Sequence, residues 1–254
     1  GITYLCTPWD SESIKFLDNM GVEAFKVASA DLTNLPLIKL LIDTNKPLIL
    51  STGMSTPDEI KITISFLNKH SAEFILLHCN STYPAPIEHI NLKSINQLKK
   101  LHSYIGYSGH ERGINVSLAS VAFNICLIER HFTQDRKMEG PDHAASLTKD
   151  EFQRMVLGIR EIELSLGGHQ RVLSQGEMIN RENLSKSLVS SRPLKNGEIL
   201  TARDIKVRSP GQGLSPQMFE KLIGIKLTRD MQEEDYFFNT DIDKKITKPK
   251  KYNF

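Results

Sequence analysis

Long apolar runs are missing from this sequence, and so is an excess of charge of either sign. No stretch approaches the roughly 18 uninterrupted apolar residues of a membrane-crossing helix, so no membrane partner is expected. Lys and Arg number 32 against 30 Asp and Glu, a formal +2. That balance gives no global field to draw nucleic acid or a lipid surface. Cysteine is scarce and odd in number: Cys6, Cys79 and Cys126 each sit in an apolar, strand-like run. Buried free thiols in a reducing compartment are predicted, hence a cytoplasmic protein, and not a disulfide frame or a zinc site. An initiator Met is lacking too, because the chain opens on Gly1 and is strand-like at once. The expectation is a fragment cut at its N-terminus, from which any targeting segment has been lost.

What remains is globular. Hydrophobic residues make up 39% and charged residues 24% of the chain, which excludes intrinsic disorder. A length of 254 residues suits one large domain, or a medium domain with a small one. Through the first 135 residues or so one pattern repeats, a short β-rich run followed by an amphipathic helical stretch. Strands are predicted at residues 2–7, 24–29, 47–51, 74–79, 104–107 and 126–132. Helices are predicted at 11–20, 35–44, 57–70, 91–102 and 114–125. Asp10 or Ser11 would cap the first helix, and Thr56-Pro57 with Glu59 the third. Such alternation gives parallel strands and an α/β fold.

A doubly wound sheet gathers its ligand residues at one switch point, whereas a (β/α)8 TIM barrel collects them from nearly every strand end. Here nearly every strand ends on small or polar residues: Thr7, Lys26 with Ser29, Ser51-Thr52-Gly53, Cys79-Asn80-Ser81, Ser108-Gly109-His110, and Glu129 with His131. The barrel is therefore expected, with its first two strand–helix units absent, on the order of 60 residues. Residues 1–168 would form this partial catalytic barrel, ending in a helix over 147–167, and residues 169–186 a linker. Residues 187–243 would form a small, mostly β domain, and 244–254 a basic, solvated tail.

His110 and His131 would stand on neighbouring strands about 5 Å apart on the same face. Two imidazoles on an open rim can hold a divalent cation and leave positions for water and substrate. The alternative is a pair of hydrogen-bonded histidines in a polar cavity. Glu129 would share their side of the strand, as substrate or ligand partner, or paired with Arg130 or Arg112. Lys26, Ser29, Ser51, Thr52 and Gly53 fit a phosphate or carboxylate site, or ordinary strand-end capping. Tyr83-Pro84-Ala85-Pro86 reads as a rigid loop over the mouth or a plain turn. Asp142 is a loop carboxylate that nothing structural demands. His70, His89, His102 and His169 read as surface or structural, and the small residues of 114–125 as close helix packing.

Six segments in order, Phe25–Asp31, Leu50–Met54, His78–Pro84, Gly106–Glu111, Ile128–Phe132 and Gly140–His143, resemble the sialic acid synthase (N-acetylneuraminate synthase) family. The segments Lys186–Val189, Lys195–Glu198 and Pro210–Gly213 resemble that family's antifreeze-like (SAF) domain. The resemblance implies a synthase that condenses phosphoenolpyruvate with a 2-acetamido sugar and water, giving a nonulosonic (sialic) acid and phosphate. N-acetylmannosamine is the implied acceptor, with a 2,4-diacetamido sugar, or a non-catalytic sugar-binding role, as alternatives. It implies Mn²⁺ or Mg²⁺ on His110 and His131, with phosphoenolpyruvate held by Lys26, Ser29, Ser51, Ser81 and Ser108. Asp31, Tyr83 and Asp142 would contact the sugar, and Glu129 would line the pocket. A domain-swapped homodimer is implied, in which an Arg of the small domain reaches the partner's sugar. Arg208 stands one position from that Arg's place. A Glu and a phosphate-binding Lys of the family's early strands have no match here, so the fragment is expected to be inactive alone.

Overall fold

The computed structural model of the protein describes residues 1–168, 170–244 and 246. It divides into two compact units, residues 1–167 and 168–254. The first alternates helix and strand: α1 (Ser11–Met20), β1 (Phe25–Val27), α2 (Leu35–Ile42), β2 (Leu48–Ser51), α3 (Pro57–Lys69), β3 (Phe74–Cys79), α4 (Ile95–Leu98), β4 (Ile105–Gly109), α5 (Asn115–Val121), β5 (Ile128–Arg130) and α6 (Lys149–Leu166). The five strands pair in chain order, all parallel, as a curled half-barrel. The TIM-barrel reading holds.

Register explains which side chains meet. Lys26 pairs with Ile49, Ser51 with Leu77, Cys79 with Ser108, and Ser108 with Glu129. Successive side chains alternate between faces, so these residues share the concave face. The other face carries Phe25, Val27, Leu48, Leu50, Phe74, Leu76 and Ile105, all buried against the helices. Thr56 and Glu59 form a reciprocal cap at the start of α3, and Asp10 caps α1. Each cap satisfies main-chain N–H groups that would otherwise lack partners.

Several expectations need correction. The strand at 2–7 is reduced to one parallel bridge, Cys6 to Phe25, because residues 1–5 are exposed. The helix at 91–102 is a short 3₁₀ turn followed by α4, and Cys126 is exposed where a buried thiol was expected. Residues 175–184, read as linker, form α7 (Gln175–Leu184), closed by a capping box of Ser174 and Glu177. None of its residues is buried, so it carries no apolar period to find, and its caps define it instead.

The second unit holds α7, the antiparallel pair β6 (Ser187–Ser190) and β7 (Ile205–Arg208), and a short α8 (Phe219–Leu222). Leu188, Leu200, Leu227, Met231 and Phe237 centre its core. Buried Asp204 receives hydrogen bonds from Thr201 and Arg192. His169 and, apart from Lys244 and Ile246, the tail at 244–254 lie outside the described residues. Among the described residues no helix is long and apolar enough to cross a membrane.

Leu76, fully buried at the centre of β3, leaves a cavity when truncated, and Leu76→Ala should cost about 2–5 kcal/mol in urea unfolding. Burial alone would raise the Asp204 carboxyl, but its bonds from Thr201 and Arg192 outweigh that and hold it below the usual range. A carboxyl held low in the folded state stabilises above its unfolded value, near 4, and that support disappears as pH falls through the folded value. Melting of the small unit should therefore steepen towards acid below about pH 4, and Asp204→Asn should flatten that limb.

Candidate active site

The carboxyl ends of the parallel strands surround a cavity of about 440 Å³, lined by Lys26, Ser29, Ser51, Ser81, Tyr83, Ser108, His110, Glu129, His131 and Asp142, together with Thr7, Trp9, Ala28, Ala30 and Met54. A larger cavity of about 540 Å³, which shares Met54 with the first, is lined by Ile60, Leu98, Leu101 and the start of α3. No charged side chain lines that one, and its His78 is occupied by the carbonyl of Ile90. The smaller, polar cavity is the one suited to chemistry.

One wall is a cradle of donors. Lys26 is largely buried, donates to the Val27 carbonyl at 2.9 Å, and stands 3.7 Å from the Glu129 carboxylate. Burial pushes its ammonium below the ordinary lysine range, with Glu129 opposing. Ser108 donates to the other Glu129 oxygen at 2.7 Å. Ser51 is 3% exposed, and its hydroxyl has no protein partner among the described residues. A buried hydroxyl left this way costs about 1–3 kcal/mol, so the atom is suited to an acceptor brought by a ligand. Gly53 makes the convergence possible: a Cβ there would stand 2.1 Å from Ser81 Oγ and 2.8 Å from Ser29 Oγ. Cys79 links the same groups, its sulfur 3.6 Å from Ser29 Oγ and 3.7 Å from Ser81 Oγ.

The imidazoles adjoin this cradle through Cys79, whose sulfur lies 3.8 Å from His110 Nδ1. The rings of His110 and His131 are 5.1 Å apart at 68°. His110 Nδ1 donates to the Asn80 carbonyl at 2.7 Å, which leaves the lone pair on Nε2. Burial works against its charged form, but Cys79 and Asn80 outweigh burial and raise it. Burial, then the charge of His110, lowers His131, whose Nδ1 lies 3.6 Å from Asp142. Tyr83 packs its ring 4.1 Å from that of His110. Its phenol is pushed up to about 12, chiefly by burial, so it stays a hydrogen-bond donor at neutral pH.

Among the described residues no group of three or more His, Cys, Asp or Glu gathers as a metal cage. The donor set is two imidazoles, one with its tautomer fixed by a carbonyl. Such a set fits an open divalent site whose other positions go to substrate and water.

Not every candidate reaches this cavity. Asp31 is absent from its lining, and its carboxylate accepts from Asn34 at 2.9 Å. Thr52 turns away to the Leu77 carbonyl. Arg208, expected at a partner's sugar and not in this cavity, pairs within the small unit with Glu234 at 3.1 Å. Glu129 pairs with Lys26, where Arg130 or Arg112 were the expected alternatives. Sequence reasoning missed Trp9 and Met54. Trp9 lies two residues beyond the strand-end Thr7, and Met54 directly follows the Ser51-Thr52-Gly53 end, so both were within reach of the strand-end argument.

The half-barrel and its rim place the chain among (β/α)8-barrel proteins. Residues 1–171 match the NeuB family and residues 185–243 the SAF domain. The N,N'-diacetyllegionaminic acid synthase of Campylobacter jejuni is 39% identical over 238 residues, covering 92% of this chain and 71% of that protein. The N-acetylneuraminate-9-phosphate synthase of Homo sapiens is 34% identical over 247 residues, covering 96% and 68%. The crystal structure of N-acetylneuraminic acid (sialic acid) synthetase from Leptospira borgpetersenii serovar Hardjo-bovis, in complex with citrate, gives a TM-score of 0.65 at 35% identity, covering 68% of this chain and 61% of that one. The chain belongs to the NeuB family and carries an SAF domain.

The Lys26–Glu129 pair yields a direct test. Because Glu129 opposes the effect of burial, Glu129→Gln should move the Lys26 titration further down, read from its side-chain resonances against pH. A midpoint that stays or rises removes Glu129 as its partner.

Proposed function

We infer that the chain is a synthase joining phosphoenolpyruvate to a 2-acetamido sugar, with water, to give a nonulosonic acid and inorganic phosphate. The observation that carries this reading is the buried hydroxyl of Ser51, without a protein partner among the described residues, in one cavity with Lys26 and two imidazoles. It supplies an oxyanion site and an acceptor site in one space. The acceptor is N-acetylmannosamine or a 2,4-diacetamido relative, in keeping with the sialic and legionaminic acid synthases to which the chain is similar.

Lys26 and the hydroxyls of Ser29, Ser51 and Ser81 hold the phosphate and carboxylate, Ser108 joins them when its hydroxyl turns from Glu129 to the ligand, and Glu129 orients Lys26. His110 and His131 hold Mn²⁺ or Mg²⁺, which when bound supplies Lewis-acid polarisation of the acceptor carbonyl. Tyr83 and Asp142 orient the sugar at the rim. The enol carbon attacks the acceptor's aldehyde carbon, and positive charge develops on the carbon bearing phosphate. Water adds there, one of its protons going to the alkoxide left on the aldehyde oxygen, and the new hydroxyl gives up its proton to the departing phosphate as the keto group forms and the C–O bond breaks. Fixed cationic and hydroxyl donors stabilise the departing phosphate without reorganising, and orientation of both partners supplies much of the rest. A homodimer in which the small unit of one subunit covers the partner's cavity completes the reading. Five paired strands leave the sheet open, so these 254 residues alone are expected to bind without turning over.

Titration of the chain with phosphoenolpyruvate tests the cradle. Lys26→Gln should weaken binding about 10–100-fold, the loss of a hydrogen bond to a charged group. Unchanged affinity would sink the assignment. In a longer protein that contains these residues and turns over, phosphate should appear only with amino sugar and divalent cation both present, and release that ignores the sugar refutes the condensation.

A further inference from the structure

Between β4 and β5 the main-chain ladder stops just short of the two histidines. Its last register pair is Gly109 with Arg130. His110 and His131, one residue further on, have no main-chain bond to each other among the described residues. Behind them, on the helix-facing side of the sheet, a buried ion pair begins where the ladder ends.

Arg130 makes four contacts there. Its Nη1 lies 2.8 Å from Glu111 Oε1, from the Gly113 carbonyl and from Ser117 Oγ, three acceptors sharing two hydrogens. Its Nη2 donates to the Glu111 main-chain carbonyl at 2.5 Å. Tyr107 donates to Glu111 Oε2 at 2.7 Å. Both charged side chains are 0% exposed. Gly109 leaves room for the pair: a Cβ there would stand 2.8 Å from Glu111 Oε2 and 3.0 Å from Arg130 Cδ.

A buried ion pair is by itself weak ground for stability. Desolvation offsets most of the Coulombic attraction in a buried pair, and apolar replacement of similar volume is often neutral or stabilising. Apolar side chains lack something else, a planar fork whose directional bonds fix main-chain atoms. Arg130 directly precedes His131, and Glu111 directly follows His110. The guanidinium thus ties the end of β5 to the carbonyls of Glu111 and Gly113, across the point where the strands are no longer held by each other.

We propose that Glu111 and Arg130 are positioning residues that set the separation of His110 and His131, and through it the affinity of the site for a divalent cation. The proposal rests on the reading of those histidines as ligands. The test titrates Mn²⁺ into the 254-residue chain, followed by electron paramagnetic resonance, with melting recorded for every variant. Glu111→Met with Arg130→Met should melt below the parent, because Tyr107, Ser117 and two main-chain carbonyls lose their buried partners, and the folded fraction should bind Mn²⁺ about 10–100-fold more weakly, the usual effect of removing groups that orient ligands. Arg130→Lys, which keeps the charge and loses the fork, should fall between. A folded double variant with parental affinity overturns the positioning role and leaves the ligand reading standing. If the parent shows no Mn²⁺ binding that His110→Ala abolishes, the ligand reading falls and this proposal with it. Should the double variant fail to fold, Arg130→Lys decides alone, because parental affinity in that folded chain overturns the role equally.

Discussion

Parallel pairing sends the carboxyl ends of all five strands to one rim, and that constraint organises everything else in the first unit. Once Lys26 is opposite Ile49 and Ser108 opposite Glu129, alternation alone delivers a cation, hydroxyls, a carboxylate and two imidazoles to one concave face. A slip of one residue would exchange that set for Phe25, Leu50 and Leu76. The apolar outer face therefore specifies the polar inner one: burying it against the helices fixes the register that the chemistry needs.

Much of this was legible in the sequence, and the reason is periodicity. Strand and helix periods, with turn residues between them, locate the strand ends, and in a parallel barrel strand ends are where functional side chains stand. The histidine pair followed from its spacing. Other features have no periodic signature. Helix α7 buries nothing, so only Ser174 and Glu177 announce it. Asp31 sits in a promising segment, but the 3₁₀ turn over Ser29–Asp31 takes it out of the cavity's lining. Arg130 and Glu111 are 19 positions apart, and only the folded sheet shows that they meet. Ser117, which from sequence is a small packing residue, also accepts from Arg130 and so serves two ends.

The two units hold their charges in different ways. In the small unit, buried carboxylates such as Asp204 and Asp241 are met by arginines whose own side chains reach solvent, with nearby hydroxyls and main-chain N–H groups sharing the load. In the first unit the buried pair is sealed from solvent, and on the concave face Lys26 meets one carboxylate among the described residues. Arrangements of the first kind close a small fold whose core is modest. Those of the second kind leave groups incompletely answered, which is the condition for a ligand to gain by arriving.

The Ser51 hydroxyl carries that condition to its end. Alanine would fill nearly the same volume there without leaving a polar atom unanswered, so a lineage tested for folding alone would drift towards it. A serine held at such a spot is a small permanent handicap to the resting molecule. Its persistence would make the position a sensitive marker of use: a descendant released from its chemistry should surrender this oxygen early, well before the barrel itself begins to decay.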